Sequence, residues 1–187
     1  MAKTDIVVIG GCGHVGLPLG LAFARAGRKV IAVDIDARKL ELARQFGATD
    51  TVDSSRTNPV DAVRELTGGF GADVTVEAVG HPDVFKQAFH ARDHAGTLVQ
   101  VGVPNPQMRL DVRMLDFYGR GGSLRPAWYG DCLPTRDFPI LIDLYLRGRY
   151  DLDRFVSATI ALDQVEEAFA KMQRNEVLRS VVVFPDA

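Results

Sequence analysis

The sequence predicts an α/β fold, a doubly wound parallel sheet with helices on both faces, and three observations carry this prediction. Short apolar runs rich in valine and isoleucine alternate with amphipathic stretches of helix length. The runs, among them DIVVI, KVIAVD, DVTVEAVG and GTLVQVGV, are nearly continuous in apolarity, which is typical of strands buried on both faces. Helix-length connections between parallel strands require right-handed crossovers, and these wind the sheet from both sides.

Each apolar run marks one strand of the predicted sheet, and six strands are expected. They lie near residues 5–9, 29–33, 50–52, 73–78, 97–102 and 122–129. The expected connecting helices include LPLGLAFARAG, ARKLELARQFG, PVDAVRELTGG and PDVFKQAFHARDHAG. Asn58-Pro59 and His81-Pro82 open the last two, because proline suits the first helical position, and glycine follows each of these helices.

The pattern changes after the segment GDCLPTRD. FPILIDLYLRG and DQVEEAFAKMQRN are expected helices, while VSATIAL and RSVVVF are expected strands. We therefore predict a sheet domain at residues 1–135 and a helix-strand-helix-strand extension at residues 136–187. The two extension strands could pair with each other, complete the main core, contact another molecule or remain mobile, and the sequence leaves these alternatives open.

Composition and charge exclude several function classes. The 187 residues carry a net charge of −2, which provides no basic field for nucleic acid, and no apolar segment is long enough to span a membrane. The opening MAKTD lacks the apolar core of a secretion signal, and Cys12 and Cys132 lie far apart without metal-type spacing. We expect a soluble protein in the reducing cytoplasm.

The segment GGCGHVG contains a G-x-G-x-x-G spacing between the first strand and the first helix. Gly11 would permit the tight turn, Gly13 would let the backbone approach a pyrophosphate, and Gly16 would let the helix pack on the sheet. Unpaired N–H groups and the positive end of the helix dipole favour an anion at such a turn. The alternative is an ordinary tight turn without a ligand.

Asp34 ends the second predicted strand, 18 residues after Gly16. A carboxylate at this position can accept both ribose hydroxyls of an adenosine and would repel a 2′-phosphate. The motif and this acid together predict a site for NAD rather than NADP. Arg38 and Lys39 could instead reach a phosphate, or they could lie on the solvated face of the next helix.

Two resemblances cover different parts of the chain. FGATDTVD, ELTGGFGADVTVEAVG, AGTLVQVGVP, RDFPILIDLYLRGRYDLDRFV and VLRSVVVF resemble the cofactor domain of zinc-dependent medium-chain alcohol dehydrogenases. GRGGSL, WYGDCLP and QAFHARDHAG are most similar to the mycothiol-dependent formaldehyde dehydrogenases of that family, whereas GHVGLPLGLAFA resembles the N-terminus of UDP-sugar dehydrogenases. Our hypothesis is that residues 1–40 and 41–187 derive from two families, joined in a chimera by recombination or engineering.

The resemblance implies a set of cofactor-binding residues, matched position by position. They are Gly11, Gly13, His14, Val15 and Gly16 at the phosphate turn, Asp34, Ile35 and Lys39 at the adenosine ribose, Ala78 and Val79 along the cleft, Val101, Gly102, Val103, Ala127 and Tyr129 beside the nicotinamide, and Arg179 at the pyrophosphate. The resemblance also implies that two subunits meet at the outer edge of the sixth strand. That edge presents unpaired backbone groups, although Pro126 removes one donor, so we expect a homodimer.

The sequence offers no equally clear catalytic group. Hydride transfer in the resembling dehydrogenases needs a catalytic zinc, whose ligands come from a domain that precedes the Rossmann unit. Neither Cys-x-x-Cys nor Tyr-x-x-x-Lys occurs in the sequence. His90 and His94 could share a metal if both lay on one helix face, or they could be solvated residues near a helix end. No catalytic or metal-binding residue is predicted.

Three functions remain open at this point. The first is an NAD(H)-binding Rossmann module that lacks the catalytic zinc domain. The second is an oxidoreductase similar to alcohol or formaldehyde dehydrogenase, acting alone or with a separate catalytic chain. The third is a folded chimera that binds no cofactor. We expect the first, because the binding residues are nearly complete and the catalytic ones are missing.

Overall fold

The computed structural model describes residues 5–10, 12, 13, 15–153, 156–174, 176, 177 and 179–184. The backbone contacts divide the chain into two compact units, Met1–Gly130 and Asp131–Ala187. The domain boundary expected after residue 135 stays a prediction. No helix in the described ranges is long and apolar enough to cross a membrane.

The first unit is built on one sheet of six parallel strands. The strands are β1 (Asp5–Ile9), β2 (Lys29–Asp34), β3 (Asp50–Asp53), β4 (Ala72–Glu77), β5 (Arg92–Gln100) and β6 (Ser123–Pro126). Their order is β3-β2-β1-β4-β5-β6, and every neighbouring pair is parallel. The predicted doubly wound sheet is confirmed. Its order reverses between β1 and β4, which opens a crevice at the carboxyl ends of these strands.

Five α-helices connect the strands of this unit. They are α1 (Gly16–Arg25), α2 (Ala37–Gln45), α3 (Pro59–Leu66), α4 (Pro82–Ala91) and α5 (Met114–Arg120). Asn58 and His81 cap α3 and α4 as predicted, because their side chains accept the N–H groups of Val60 and Asp83. Helix α5 was not predicted.

The residues of β1 pack alternately into two separate apolar clusters. Val7 and Ile9 lie in one cluster with Phe89 of α4. Ile6 and Val8 lie in the other cluster, against which Phe23 of α1 packs. Since successive side chains of a strand point to opposite faces, both faces of the sheet are covered by helices. This explains why the strand runs are apolar throughout rather than alternating.

The predicted end of α4 and the predicted start of β5 were wrong. The helix ends at Ala91, and β5 begins at Arg92 instead of residue 97. The Arg92 side chain is buried and donates from Nη1 to the carbonyl oxygens of Gly96 (3.1 Å) and Gly121 (2.7 Å). These contacts hold the chain in an extended, bulged path, and the register with β4 shifts there.

The second unit contains α6 (Pro134–Leu146), β7 (Ala158–Ile160), α7 (Val165–Gln173) and β8 (Ser180–Val182). This is the predicted order of helix, strand, helix and strand. Strands β7 and β8 pair with each other in parallel, with Ala158 opposite Ser180 and Ile160 opposite Val182. Among the alternatives that the sequence left open, the structure shows mutual pairing.

Candidate functional site

An open cleft of about 460 Å³ lies at the carboxyl ends of β1, β2 and β4. In open α/β sheets, ligands bind at this reversal of strand order. The cleft is lined by Ile9, Gly10, Gly13, Val33, Asp34, Ile35, Lys39, Ser54, Ala78, Val79, Val84 and Gln87. Half of these were predicted from the sequence, namely Gly13, Asp34, Ile35, Lys39, Ala78 and Val79. The structure therefore brings together the predicted groups from the glycine turn, the end of β2 and the end of β4.

Gly10, which begins the turn after β1, was missed by the sequence analysis. Its N–H donates to the Val33 carbonyl oxygen at 2.9 Å, so the turn is tied to β2. Its φ is +72°, and a Cβ added there would lie 2.2 Å from Cγ2 of Val79. Both the backbone angle and the lack of space require glycine. Gly11 and His14, which were predicted for the same turn, lie outside the described residues.

Gly13 and the start of α1 form the floor of the turn. A Cβ on Gly13 would meet only the Gly10 carbonyl oxygen, at 3.8 Å, so the packing of the protein itself does not require glycine there. Gly16 is buried, and the half-exposed Val15 precedes it without a side-chain cap. The first turn of α1 contains no acidic residue. In this turn the Leu17 N–H donates to the Gly13 carbonyl oxygen at 3.2 Å and Pro18 has no N–H, so the N–H groups of Val15 and Gly16 are the ones suited to receive an anion beside Gly13.

Asp34 is held rigidly at the end of β2. The residue is buried, and its Oδ1 accepts the N–H groups of Ile35 (2.8 Å) and Asp36 (3.1 Å). The Asp34 carbonyl oxygen accepts the N–H of Ser54, which follows β3. A carboxylate fixed in this way is pre-organised to accept hydroxyl groups of a ligand in the cleft.

Arg38 and Lys39 have different surroundings, which the sequence could not distinguish. Asp36 caps α2 and accepts Arg38 Nη2 at 3.1 Å and the Arg38 N–H at 2.9 Å. These hydrogen bonds lower the pKa of Asp36. Lys39, in contrast, lines the cleft. The guanidinium of Arg38 is paired with a carboxylate, whereas Lys39 is the cation among the described residues that line the cleft.

Several predicted apolar residues are exposed to an unusual degree. Val15, Ile35, Val79, Val103 and Tyr129 are each at least half exposed. Ile35 and Val79 line the cleft itself. Exposed apolar side chains gathered around a cleft are typical of a surface that a ligand covers.

The loops after β4 and β5 contact each other directly beyond Val79. The N–H groups of Val101 and Gly102 donate to the Glu77 carbonyl oxygen at 2.8 and 2.9 Å. The Ala127 N–H donates to the Gln100 carbonyl oxygen at 2.8 Å, which continues the β5–β6 pairing. The predicted residues of these loops therefore follow the strands next to the cleft, although they do not line its described volume.

Glu77, at the end of β4 beside the cleft, has a role that the sequence analysis missed. It is completely buried, and its carboxylate accepts the N–H groups of Val79 and Gly80, both at 2.8 Å, as well as Nε2 of Gln100. The sequence pattern indicates only that Glu77 is part of the apolar strand DVTVEAVG. A charged residue in a strand buried on both faces must have internal partners, and this signal could have identified it.

Cys12 lies buried in the glycine turn, close to Asp34. Burial and the negative charge of Asp34 raise the pKa of the Cys12 thiol to about 12. Between about pH 9 and pH 12 the Cys12 thiol stays protonated in the folded chain, whereas the same thiol would ionise in the unfolded chain. The contribution of this thiol to the free energy of unfolding is therefore present below about pH 9 and is lost as pH rises toward 12.

We expect iodoacetamide at pH 8 to modify Cys132 and to leave Cys12 unmodified in the folded chain. Cys132 is partly exposed, whereas Cys12 is buried and its thiolate is scarce. Peptide mass spectrometry measures both sites, and labelling in denaturant provides the control in which both react. Equal labelling of the folded protein would contradict the buried position of Cys12.

His90 and His94 line a second cavity, of about 410 Å³, together with Arg113, Asp116 and Arg120. His90 lies on α4 and His94 on β5, so the suggested shared helix face was wrong. Burial, followed by the charge of Arg120, lowers the pKa of His90. Over the described ranges of the chain, no group of three or more histidine, cysteine, aspartate or glutamate side chains is placed to hold a metal ion.

Tyr129 and Arg179 are the last two predicted site residues. Tyr129 follows β6 and has a φ of +54°, which is uncommon for a residue with a side chain. Arg179 belongs to the second unit, where its carbonyl oxygen accepts the N–H of Ser157 at 2.8 Å. Its role at a pyrophosphate stays a prediction.

The chain is similar to known dehydrogenases over nearly its whole length. Residues 15–147 match the family model described as zinc-binding dehydrogenase. Alcohol dehydrogenase 3 of Hordeum vulgare is 34% identical over 96% of this chain, and alcohol dehydrogenase 2 of Solanum lycopersicum is 32% identical over 98%. Because these relatives match almost the entire chain, the hypothesis that residues 1–40 come from a different family has no support. The likeness to the mycothiol-dependent branch stays a prediction.

Solved structures give the same result. The alcohol dehydrogenase zinc-binding domain protein of Burkholderia ambifaria has a TM-score of 0.87 at 32% identity, and the match covers 98% of this chain and 49% of that one. Benzyl alcohol dehydrogenase of Acinetobacter calcoaceticus has a TM-score of 0.87 at 29% identity, with 98% and 50% covered. The chain spans about half the length of the relatives it matches. It belongs to the zinc-binding dehydrogenase family and corresponds to the NAD(P)-binding Rossmann half of alcohol dehydrogenase-like proteins.

Proposed function

We propose that this chain binds NAD(H) in the cleft at the ends of β1, β2 and β4. The observation that carries the proposal is the fixed carboxylate of Asp34, which lines the same cleft as Gly13 of the glycine turn. A phosphate site and a ribose acceptor in the same cleft suit the diphosphate and the ribose of an ADP group. The missing side chain of Gly13 leaves space that the protein does not itself use.

The proposed contacts follow the cofactor from one end of the cleft to the other. The adenosine ribose would bind Asp34 and Lys39, with Ile35 against the adenine. The pyrophosphate would lie on the N–H groups at the start of α1. This region comprises Gly11, Gly13, His14, Val15 and Gly16, with Arg179 as a further cation. The nicotinamide half would lie beyond Ala78 and Val79, flanked by Val101, Gly102, Val103, Ala127 and Tyr129.

NAD is proposed rather than NADP because of the charges at the ribose end. The Asp34 carboxylate would repel a 2′-phosphate, and Arg38 is paired with Asp36. A putative zinc-binding dehydrogenase of Sinorhizobium meliloti 1021, 25% identical with a TM-score of 0.83, has been solved bound to NADP. We propose that the residues at the end of β2 set the preference in this chain.

Calorimetric titration with NADH and NADPH tests the proposal. We expect NADH to bind at least about fivefold more tightly, since one unit charge near another costs about 1 kcal/mol or more at 4 Å even in water. Equal or tighter binding of NADPH would overturn the preference for NAD. No heat with either cofactor would favour the alternative of a folded chain that binds none.

The second candidate function is that of an oxidoreductase. The observation in its favour is the family itself, whose curated relatives include alcohol dehydrogenases. A catalytic zinc would act as a Lewis acid on the alcohol oxygen. Over the described residues, no group of three or more potential ligands is placed to hold this metal, and its ligands would come from residues beyond these, for example from a separate catalytic chain. Turnover of an alcohol or of formaldehyde with NAD, with and without added zinc, distinguishes this function from cofactor binding alone.

We also propose a homodimer through the outer edge of β6. All four residues of this strand are exposed. Within the described part of the chain, β6 pairs with β5 on one side and with no strand on the other. A second copy could pair with that edge. Light scattering should give twice the chain mass of 20.4 kDa, and a monomer mass at working concentration would refute the dimer.

A further inference from the structure

We propose that Glu77 is a positioning residue, whose buried carboxylate, together with Gln100, fixes the two loops that receive the nicotinamide half of the cofactor. This inference rests on the proposed function. It adds a residue that never faces the cofactor but sets the geometry of those that do.

The Glu77 carboxylate joins the loops after β4 and β5. On its own side it accepts the N–H groups of Val79 at 2.8 Å and of Gly80 at 2.8 and 3.1 Å. From β5, Nε2 of Gln100 donates to the same carboxylate and also to the Gly102 carbonyl oxygen, at 2.6 Å. A single buried group therefore connects the backbone of both loops.

The charge of Glu77 has no cationic partner. Among the described residues, no lysine, arginine or histidine forms an ion pair with it, and the known donors are two backbone N–H groups and one amide. Burying a carboxylate is costly, and an apolar side chain such as that of Val76 would fill this strand position at lower cost. What the carboxylate provides, and an apolar residue could not, is a fixed direction for the N–H groups of Val79 and Gly80.

The two loops also pack backbone against backbone, which couples their positions. Gly80 has a φ of +85°, and a Cβ there would lie 2.2 Å from the Val103 carbonyl oxygen. A Cβ on Gly102 would lie 2.2 Å from the Gly80 nitrogen. The backbone of Gly80 therefore packs directly against that of Val103. This contact positions Val103, which is proposed to flank the nicotinamide, and Val79, which lines the cleft before it.

Exchange of Glu77 for glutamine has a definite structural cost, although the two side chains have the same shape. Nε2 of Gln100 faces two acceptors, Glu77 and the Gly102 carbonyl, while its Oε1 is buried without a partner. A glutamine at position 77 would use its oxygen for Val79 and Gly80 and turn its nitrogen toward Gln100. If the Gln100 amide keeps its orientation, its NH2 group faces the NH2 group of the new glutamine, two donors form no bond, and the bond between positions 77 and 100 is lost. If the Gln100 amide flips, its oxygen can accept from position 77 but then faces the Gly102 carbonyl oxygen, and the bond to Gly102 is lost.

The test is Glu77→Gln, titrated calorimetrically with NADH and with ADP-ribose, which lacks the nicotinamide. We expect the affinity for NADH to fall about tenfold and that for ADP-ribose to change less than about twofold, because loss of one charge-assisted hydrogen bond near the nicotinamide is of this order. The matched control is Glu65→Gln, at an exposed glutamate of α3, which should leave both affinities unchanged.

An equal loss for NADH and ADP-ribose would overturn the proposal, because it would indicate general destabilisation. Unchanged NADH affinity would overturn it as well. If Glu77→Gln does not fold, Gln100→Met decides, since it keeps the carboxylate with its bonds to Val79 and Gly80 and removes the two bonds of Gln100, to Glu77 and to the Gly102 carbonyl oxygen. That variant should weaken NADH several-fold and spare ADP-ribose. Failure of the wild-type chain to bind ADP-ribose would instead refute the proposed function, and this inference with it.

Discussion

Replacement of Asp34 with asparagine is expected to weaken NADH binding by about ten- to a hundredfold. Asparagine keeps an oxygen for the N–H groups of Ile35 and Asp36, so the turn after β2 is preserved. It loses the charge that would accept the ribose hydroxyls, and hydrogen bonds to a charged group contribute about 1.5–3 kcal/mol. NADPH affinity should stay constant or rise, since a 2′-phosphate is no longer repelled.

The matched control for this variant is Asp53→Asn. Asp53 lies opposite Asp34 in the sheet register, and its carboxylate likewise accepts a backbone N–H, that of Ser55, but it does not line the cleft. Calorimetry with NADH and NADPH measures both variants, and thermal unfolding reports their stability. Unchanged NADH affinity in Asp34→Asn would remove the ribose contact from the proposed site.

Gly102→Ala should destabilise the fold by about 1–3 kcal/mol and also weaken NADH binding. The added Cβ would lie 2.2 Å from the Gly80 nitrogen and 2.5 Å from the Val79 nitrogen. Such short distances to backbone atoms cannot be relieved by a change of rotamer, and overpacking of this kind costs about that amount. The loops after β4 and β5 must separate, which strains the hydrogen bonds to Glu77.

Gly119→Ala is the corresponding control for Gly102→Ala. Gly119 lies in α5, and a Cβ there would have no neighbour within 4 Å. Alanine at a helical position should raise stability by about 0.5–1 kcal/mol and leave the cofactor site intact. Denaturant unfolding and NADH titration of the two variants measure both effects. A Gly102→Ala chain as stable as the wild type would contradict the described contact between the loops.

The strands could be predicted from the sequence because their signal is local. β1 begins and ends at the predicted residues 5 and 9, since an apolar run flanked by a polar residue and a glycine turn is recognisable by itself. The end of α4 could not be predicted in this way. The polar segment HARDH suits a helix end, and the feature that makes Arg92 extended is its bond to Gly121, 29 residues away. Helix α5 is only seven residues long and gives too little periodicity.

The residues of the candidate site likewise fall into two groups, those predictable from the local sequence and those that depend on the folded chain. Gly13 and Asp34 were predicted because the glycine spacing and the acid after the second strand are sequence features with a known physical purpose. Ser54, Val84 and Gln87 line the cleft only because β3 and α4 fold beside it. Position 10 requires glycine because the side chain of Val79, almost 70 residues later, occupies the space that a Cβ would need. No local sequence pattern indicates contacts between residues that are this far apart in the chain.

The short strands β7 and β8 have a consequence for how the chain exchanges its amide hydrogens. They share only three register pairs, and a sheet of two such strands is marginally stable by itself. Their amides should exchange through local opening of small free energy. β1, in contrast, is hydrogen-bonded on both sides and buried, so its amides should exchange only when the whole sheet unfolds. The glycine turn directly follows this strand, so the cofactor cleft begins at a strand that should open only together with the whole sheet.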